Sequence, residues 1–323
     1  MTKPVLFTSF RPFDRAENIR AIYNAYNGTK QYLCSYGNYG EAFRAEVESG
    51  KYSLMVTDDF PKYTPGKCIM IWHGIQGGKH IGLDQPNHPY YDTSYADRMT
   101  YIISAGKSMV PVWSQCTGVP QDRILPLGMP RTDEYIGKRK GDGHTPLADK
   151  RSYLFVPTFR DRGDTPFPDI DWDYIDDHLT DSELLVIKAH PWFTQHVGNK
   201  LHSGKRKHII EVSGNEPSAP YLYDCDVVIT DYSSIMFDGY LLGKPCILFE
   251  KKPGYAKTRG MYLEYPYGYS SRYAENENDL IFMARNSYSL RNIDRYCMYQ
   301  VADACNGHSC ERISSLIDSL IGR

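Results

Sequence analysis

Long apolar runs are missing from this chain of 323 residues. None approaches the roughly 20 residues that a membrane-spanning helix needs. The start, Met1-Thr-Lys-Pro-Val-Leu-Phe-Thr-Ser-Phe10, lacks a signal-peptide core, because three apolar residues lead straight into polar ones. An excess of one charge is missing too. With 37 Lys and Arg against 39 Asp and Glu the formal charge is −2, which gives no electrostatic reason to expect nucleic acid as a partner. The 8 cysteines are scattered and form no CxxC pair, so neither a zinc site nor a disulfide framework is indicated. No GxxxxGK[ST] loop occurs and no GxGxxG follows a strand-like run. Repeats and low-complexity segments are absent. These absences describe a reduced, cytoplasmic protein, long enough for two domains of ordinary size.

What the chain does have is a series of short apolar runs, each followed by polar or glycine-rich residues and then a helix-compatible segment. In the first half they are Val5–Phe7, Ser53–Val56, Ile69–Trp72, Tyr101–Ile103 and Ile124–Leu127. In the second half they are Tyr153–Val156, Leu184–Ile187, His208–Val212, Val227–Thr230 and Pro245–Phe249. Strands alternating with helices imply parallel βαβ units. The polar segment Gly137–Lys150 divides the two series. The expected fold is therefore α/β, with two Rossmann-like domains, residues 1–145 and 146–323, facing a central cleft. The last helix pattern, Ser309–Ile321, has apolar residues at 313, 316, 317, 320 and 321 and reads as an amphipathic helix packed on the body.

In doubly wound folds ligands sit beyond the carboxyl ends of strands, so unusual side chains there carry the functional reading. The stretch Asp226–Phe249 reads as a buried strand, a turn carrying Ser233 and Ser234, a short helix and a second buried strand. Free N–H groups and the helix dipole make such a first turn favourable for phosphate, and an ordinary helix cap explains the same hydroxyls. His73 ends another run and opens the loop His73-Gly-Ile-Gln-Gly-Gly-Lys-His-Ile-Gly82, where glycines let the backbone approach a ligand. His190 ends Leu184-Leu-Val-Ile-Lys-Ala-His190, with its direction fixed by Pro191. Both histidines suit acid–base work at neutral pH, with a hydrogen-bonded structural histidine as the alternative at each. Arg131, Thr158 and Arg160 follow further strand ends, and arginine's planar fork suits phosphate. Arg160–Asp161 and Arg131–Asp133 are also readable as local ion pairs. Asp224–Asp226 and Asp171–Asp173 spell Asp-x-Asp, but their surroundings call for no metal.

Taken in order, these segments resemble the CDP-glycerol glycerophosphotransferase family, the primases and polymerases of teichoic acid and related capsule backbones. The matching pieces are Trp72-His-Gly with Lys79 and Gly82, Leu127-Gly-Met-Pro-Arg-Thr-Asp133, Val156-Pro-Thr-Phe-Arg-Asp161, Lys188-Ala-His-Pro191 and Ile229-Thr-Asp-Tyr-Ser-Ser-Ile-Met-Phe-Asp238. The C-terminal Asn306-Gly-His-Ser-Cys-Glu-Arg312 resembles the family's closing element, with Asn in place of Asp. Gln76-Gly-Gly departs from the proline-leucine-lysine type of sequence usual after Trp-His-Gly, and the N-terminal part has little basic amphipathic character.

The resemblance implies a two-domain fold of glycosyltransferase type B and metal-independent transfer of an alditol phosphate from CDP-glycerol or CDP-ribitol, with release of CMP. It makes His73 the general base and places His190 on the donor phosphates. Ser233 and Ser234, with Asp231, Thr158, Arg160, Arg131, Asp238, Ser309 and Arg312, become donor-site residues, and Gly74 and Lys79 fall on the acceptor side. No cofactor is implied. The implied partners are the CDP-alditol donor and a polymer or lipid-linked glycan acceptor, with peripheral contact at the inner face of the cell membrane. A nucleotide-sugar glycosyltransferase or epimerase on the same scaffold is the competing enzyme, and a non-catalytic nucleotide-binding protein the third reading.

Overall fold

The structure, a computed structural model, describes residues 3–35, 40–85, 91, 93–158, 170–189, 206–250 and 259–322. It divides into two compact units, Met1–Ile136 with Tyr299–Arg323, and Gly137–Met298.

The first unit is built on β1 (Val5–Ser9), β2 (Lys30–Cys34), β3 (Leu54–Thr57), β4 (Cys68–Ile71), β5 (Tyr101–Ile103) and β6 (Ile124–Leu125). They form one sheet in the order β2-β1-β3-β4-β5-β6, and every pairing is parallel. β1, β3 and β4 are buried along their whole length, as parallel strands covered on both faces must be. Helices α1 (Glu17–Ala25), α2 (Glu41–Val47), α3 (Ser94–Arg98) and α4 (Val110–Thr117) make the crossovers. Leu6, Met55 and Cys68 pack with Phe43, Val47 and Tyr52 in one part of the core.

The second unit has β7 (Arg151–Phe155), β8 (Glu183–Ile187), β9 (Ile209–Glu211), β10 (Val227–Thr230), β11 (Cys246–Phe249) and β12 (Tyr273–Ala274). Its order is β12-β11-β10-β7-β8-β9, again all parallel. The described helices are α5 (Trp172–His178), α6 (Ala219–Asp224), α7 (Ile235–Leu241) and α8 (Glu277–Arg285); α9 (Asn292–Ala302) begins in this unit and ends in the first, to which α10 (Ser309–Ile321) belongs. Tyr153, Phe155, Ile187, Ile229 and Phe249 pack against Trp172 and Leu280.

The expected class, two Rossmann-like parallel sheets, is the one observed. The division of the chain differs from a simple cut at 145. Gly141, Gly143 and Thr145 donate their main-chain N–H groups to the Asp224 carboxylate, at 2.8, 3.0 and 2.8 Å, so residues 137–145 go with the second unit. The C-terminal residues return to the first unit. α10 lies on α1, buries Ile313 and Ile317, and Tyr26 Oη bonds Asp318 Oδ1 at 3.2 Å. Asp133 caps this helix by accepting from Ser309 N at 3.0 Å and Cys310 N at 2.7 Å. Gly128, with φ of 85°, admits the close approach, since a Cβ there would lie 2.4 Å from both Ala304 O and Ser309 Oγ. All 8 cysteines are unpaired, and no described helix is long and apolar enough to cross a membrane.

Candidate active site

Each sheet reverses its strand order once, and polar side chains gather at both reversals. In the first sheet the reversal lies between β1 and β3, and in the second between β7 and β10. Ligands of doubly wound folds bind outside the carboxyl ends of the strands at such points.

In the first unit, Ser9 ends β1 and Phe10 and Arg11 follow it, Asp58 follows β3, and Trp72 and His73 follow β4. Ser9 Oγ donates to Asp58 Oδ2 at 2.9 Å and accepts from Arg11 N at 3.0 Å, tying the two strand ends together. The His73 ring lies edge-on to Phe10 at 5.7 Å and tilted against Trp72 at 4.3 Å between centroids. Its Nδ1 is buried without a hydrogen-bond partner. The loop that carries it is pinned from behind. Asn18 Nδ2 donates to Trp72 O at 2.8 Å, and Asn18 Oδ1 accepts from Arg131 N at 3.0 Å. The Arg131 guanidinium donates to His73 O and pairs with Glu17 at 3.8 Å.

Burial holds the His73 pKa well below the ordinary imidazole value, and the cationic Arg11, Arg131 and Lys79 push it the same way, against the Asp58 main-chain carbonyl. The imidazole is thus neutral at physiological pH, with a lone pair ready to accept a proton. Burial raises the Asp58 carboxyl to about 7, despite the Ser9 hydroxyl and Arg11, and Oδ1 of Asp58 has no partner. Ser9, Arg11 and Asp58 were not singled out from the sequence. The available signal was a serine, an arginine and an aspartate at the ends of apolar runs, in segments that read equally well as turns.

In the second unit the reversal brings together Thr158 after β7 and Asp231, Ser233 and Ser234 after β10. Asp231 Oδ1 accepts from Thr158 N at 2.8 Å and from Tyr232 N at 2.6 Å, fixing the two strand ends. Ser233 and Ser234 are half-buried at the start of α7, and Ser234, the N-cap residue, makes no side-chain cap bond. The Ser233 hydroxyl meets Ile235 N only at 3.4 Å. Asp238 is buried within α7.

The remaining sequence candidates divide three ways. His190 and Arg160 lie outside the described residues. Gly74 is buried just after His73, and the Lys79 carbonyl accepts from Gln76 Nε2 at 3.2 Å. Ser309 and Arg312, expected within residues 146–323, belong to the first unit, as Arg131 does. Arg312 there donates from Nε and Nη2 to Leu127 O at 2.9 and 2.7 Å, and to Ala304 O at 2.6 Å. This chain return was invisible in the linear order of motifs. The Asp-x-Asp pairs have structural partners: Asp171 caps α5 and Asp226 pairs with Lys140 at 2.7 Å. Among the described residues no group of three or more His, Cys, Asp or Glu is placed to hold a metal.

Two all-parallel doubly wound sheets, each with polar groups at its reversal, define a protein of the glycosyltransferase type B fold class. The chain belongs to the CDP-glycerol:poly(glycerophosphate) glycerophosphotransferase family, whose model matches residues 1–318. It is 24% identical over 302 residues to the teichoic acid ribitol-phosphate polymerase TarK of Staphylococcus aureus (strain NCTC 8325 / PS 47), covering 81% of this chain and 58% of that one. To the teichoic acid glycerol-phosphate primase of Bacillus subtilis (strain 168) it is 24% identical over 297 residues, covering 86% and 75%. The structure of the wall teichoic acid polymerase TagF matches with a TM-score of 0.75 at 20% identity, over 99% of this chain and 89% of that one, and shows the same fold. The chain spans about half the length of the ribitol-phosphate polymerases it matches, 58% and 45% in two cases.

Proposed function

We propose that this protein transfers an alditol phosphate from CDP-glycerol or CDP-ribitol to an acceptor hydroxyl, in the synthesis of a teichoic acid or capsule-type polymer. The observation that carries the reading is the half-buried His73 imidazole, neutral and with its Nδ1 buried and unpartnered, at the ligand end of the first sheet. In the reaction the acceptor oxygen attacks the β-phosphorus of the donor. A new P–O bond forms, the bond to CMP breaks with the electron pair leaving on CMP, and His73 Nδ1 takes the hydroxyl proton. Such transfer needs mainly positioning and charge stabilisation. Ser233 and Ser234 supply hydroxyls for the pyrophosphate, with Thr158 and Asp231 shaping the strand ends beneath it. His190 and Arg160 complete the donor contacts in this reading, and no metal takes part. A lipid-linked acceptor would bring the protein to the inner face of the membrane.

Incubation of the purified protein with CDP-glycerol, CDP-ribitol and UDP-sugars, with and without EDTA, tests the proposal. The expected result is CMP release from a CDP-alditol that survives EDTA and is lost in His73→Ala. Turnover of UDP-sugars alone overturns the reading in favour of a glycosyltransferase or epimerase, and loss with EDTA overturns the metal-free mechanism. Flotation with anionic vesicles tests the membrane contact.

A further inference from the structure

Three polar groups with no partner lie together at the reversal of the first sheet. Nδ1 of His73 and Oδ1 of Asp58 are both buried without a hydrogen bond. The Arg11 guanidinium stacks over Phe10 at 4.9 Å and has no hydrogen bond or ion pair among the described residues. Arg11 is close enough to influence both Asp58 and His73 electrostatically. The surroundings position the trio rather than satisfy it. Ser9 takes Oδ2 of Asp58 and the main-chain N–H of Arg11, which leaves Oδ1 and the guanidinium for something else. Buried polar groups without partners are costly, so a cluster of them at a ligand-binding position marks a ligand.

The chemistry of the cluster selects that ligand. It offers one strong donor, Arg11, and two acceptors, Asp58 Oδ1 and His73 Nδ1. The Arg11 guanidinium lies within the electrostatic reach of the carboxylates Asp58, Asp59 and Glu17, which disfavours an anion beside it. Arg131 is already committed to His73 O and Glu17. A neutral molecule with two adjacent hydroxyls, each able to donate and accept, fits the set. We propose that Arg11, Asp58 and His73 form the subsite for a vicinal diol at the acceptor terminus. The hydroxyl that will react donates to His73 Nδ1, and its neighbour donates to Asp58 Oδ1 while accepting from Arg11. This rests on the alditol-phosphate reading above and names what that reading leaves open, the part of the acceptor that is recognised. Arg11 and Asp58 act here by binding, and His73 takes the proton.

The test uses two soluble acceptors with the full chain: glycerophosphoglycerol, and its analogue with propane-1,3-diol in place of glycerol at both ends, which lacks the neighbouring hydroxyls. Wild type is expected to favour the diol by about tenfold or more in kcat/KM, the worth of a hydrogen bond to a charged group. In Arg11→Ala and in the conservative Asp58→Asn that preference should shrink severalfold, while the affinity for CDP-glycerol stays unchanged. Equal losses with both acceptors would overturn the proposal. A second readout does not depend on turnover. Glycerophosphoglycerol should shift the imidazole 15N signals of His73 in wild type, and the 1,3-diol analogue or inorganic phosphate should do so far more weakly. No shift, or an equal shift with phosphate, overturns the diol subsite. Absence of CMP release alongside a diol-specific shift would overturn the phosphotransferase reading and keep the subsite.

Discussion

Asn18 and Arg131 meet beneath the loop that carries His73, where the Asn18 side-chain oxygen accepts the Arg131 main-chain N–H at 3.0 Å. The other end of the same amide donates to Trp72 O at 2.8 Å, so one buried side chain ties the segment after β6 to the residue before His73. Asn18→Ala leaves two main-chain groups unpaired, at a cost of about 2–4 kcal/mol. Urea unfolding should show this loss, together with reduced turnover of the folded protein. A stability change below about 0.5 kcal/mol would refute the link.

Two groups at the reversal of the first sheet set opposite pH dependences. Asp58, raised to about 7 by desolvation, is an acid whose folded pKa exceeds its unfolded value of 3.8. Its contribution to stability is fully present below 3.8 and is lost as pH rises through about 7. Asp58→Asn should therefore gain stability relative to wild type between pH 5 and pH 8. An unchanged difference between the two pH values in denaturant titrations counts against it.

His73 has the other sign. Its folded pKa lies below the ordinary imidazole value of 6.5, so its contribution is present above 6.5 and is lost as pH falls through that value towards the folded one. The acid limb of kcat/KM should accordingly lie below pH 6.5. A limb centred above 6.5 that disappears in His73→Ala would show that the imidazole is not depressed.

Ser234 separates capping from ligand binding. Its hydroxyl makes no cap bond, so Ser234→Ala should change stability by less than about 0.5 kcal/mol, as a substitution away from structural features does. Donor affinity should fall by about tenfold, the loss of one charge-assisted hydrogen bond. Calorimetric titration with CDP-glycerol and a thermal melt read the two effects separately. A lower melting temperature with unchanged affinity would identify the serine as structural.

Arg312 and Asp133 hold the C-terminal segment to the first unit through side-chain bonds to main-chain atoms. Arg312→Ala should cost about 3 kcal/mol or more, and Arg312→Lys should restore little, because an ammonium lacks the planar fork. Limited proteolysis near residue 304 should accelerate in both variants. Full protection in Arg312→Ala would remove the clamp from the account.

Most of the fold was legible because buried parallel strands announce themselves as short β-branched runs, and ten such runs coincide with observed strands to within a few residues. β2 escaped because Lys30 and Gln31 open it and, at the edge of the sheet, it is only half-buried. β12 escaped because its two residues, Tyr273 and Ala274, stand between Arg272 and Glu275 and form no apolar run. His73 was legible from its strand end and glycine-rich loop. Asp58 was not, because Asp58-Asp59 after an apolar run looks like any polar turn until the neighbouring strand is known.

The sequence alone determined the two series of βα units, the helix Ser309–Ile321, the histidine and hydroxyl candidates, and the motif order that carries the family resemblance. All of these are local patterns, with apolar periodicity and turn chemistry readable within a dozen residues. Tertiary structure alone decided that β1 adjoins β3 and β7 adjoins β10, that Ser9 ties Arg11 to Asp58, and that Arg312 clamps the first unit. Strand order and chain return follow from which faces bury one another across scores of residues, and no local pattern encodes that.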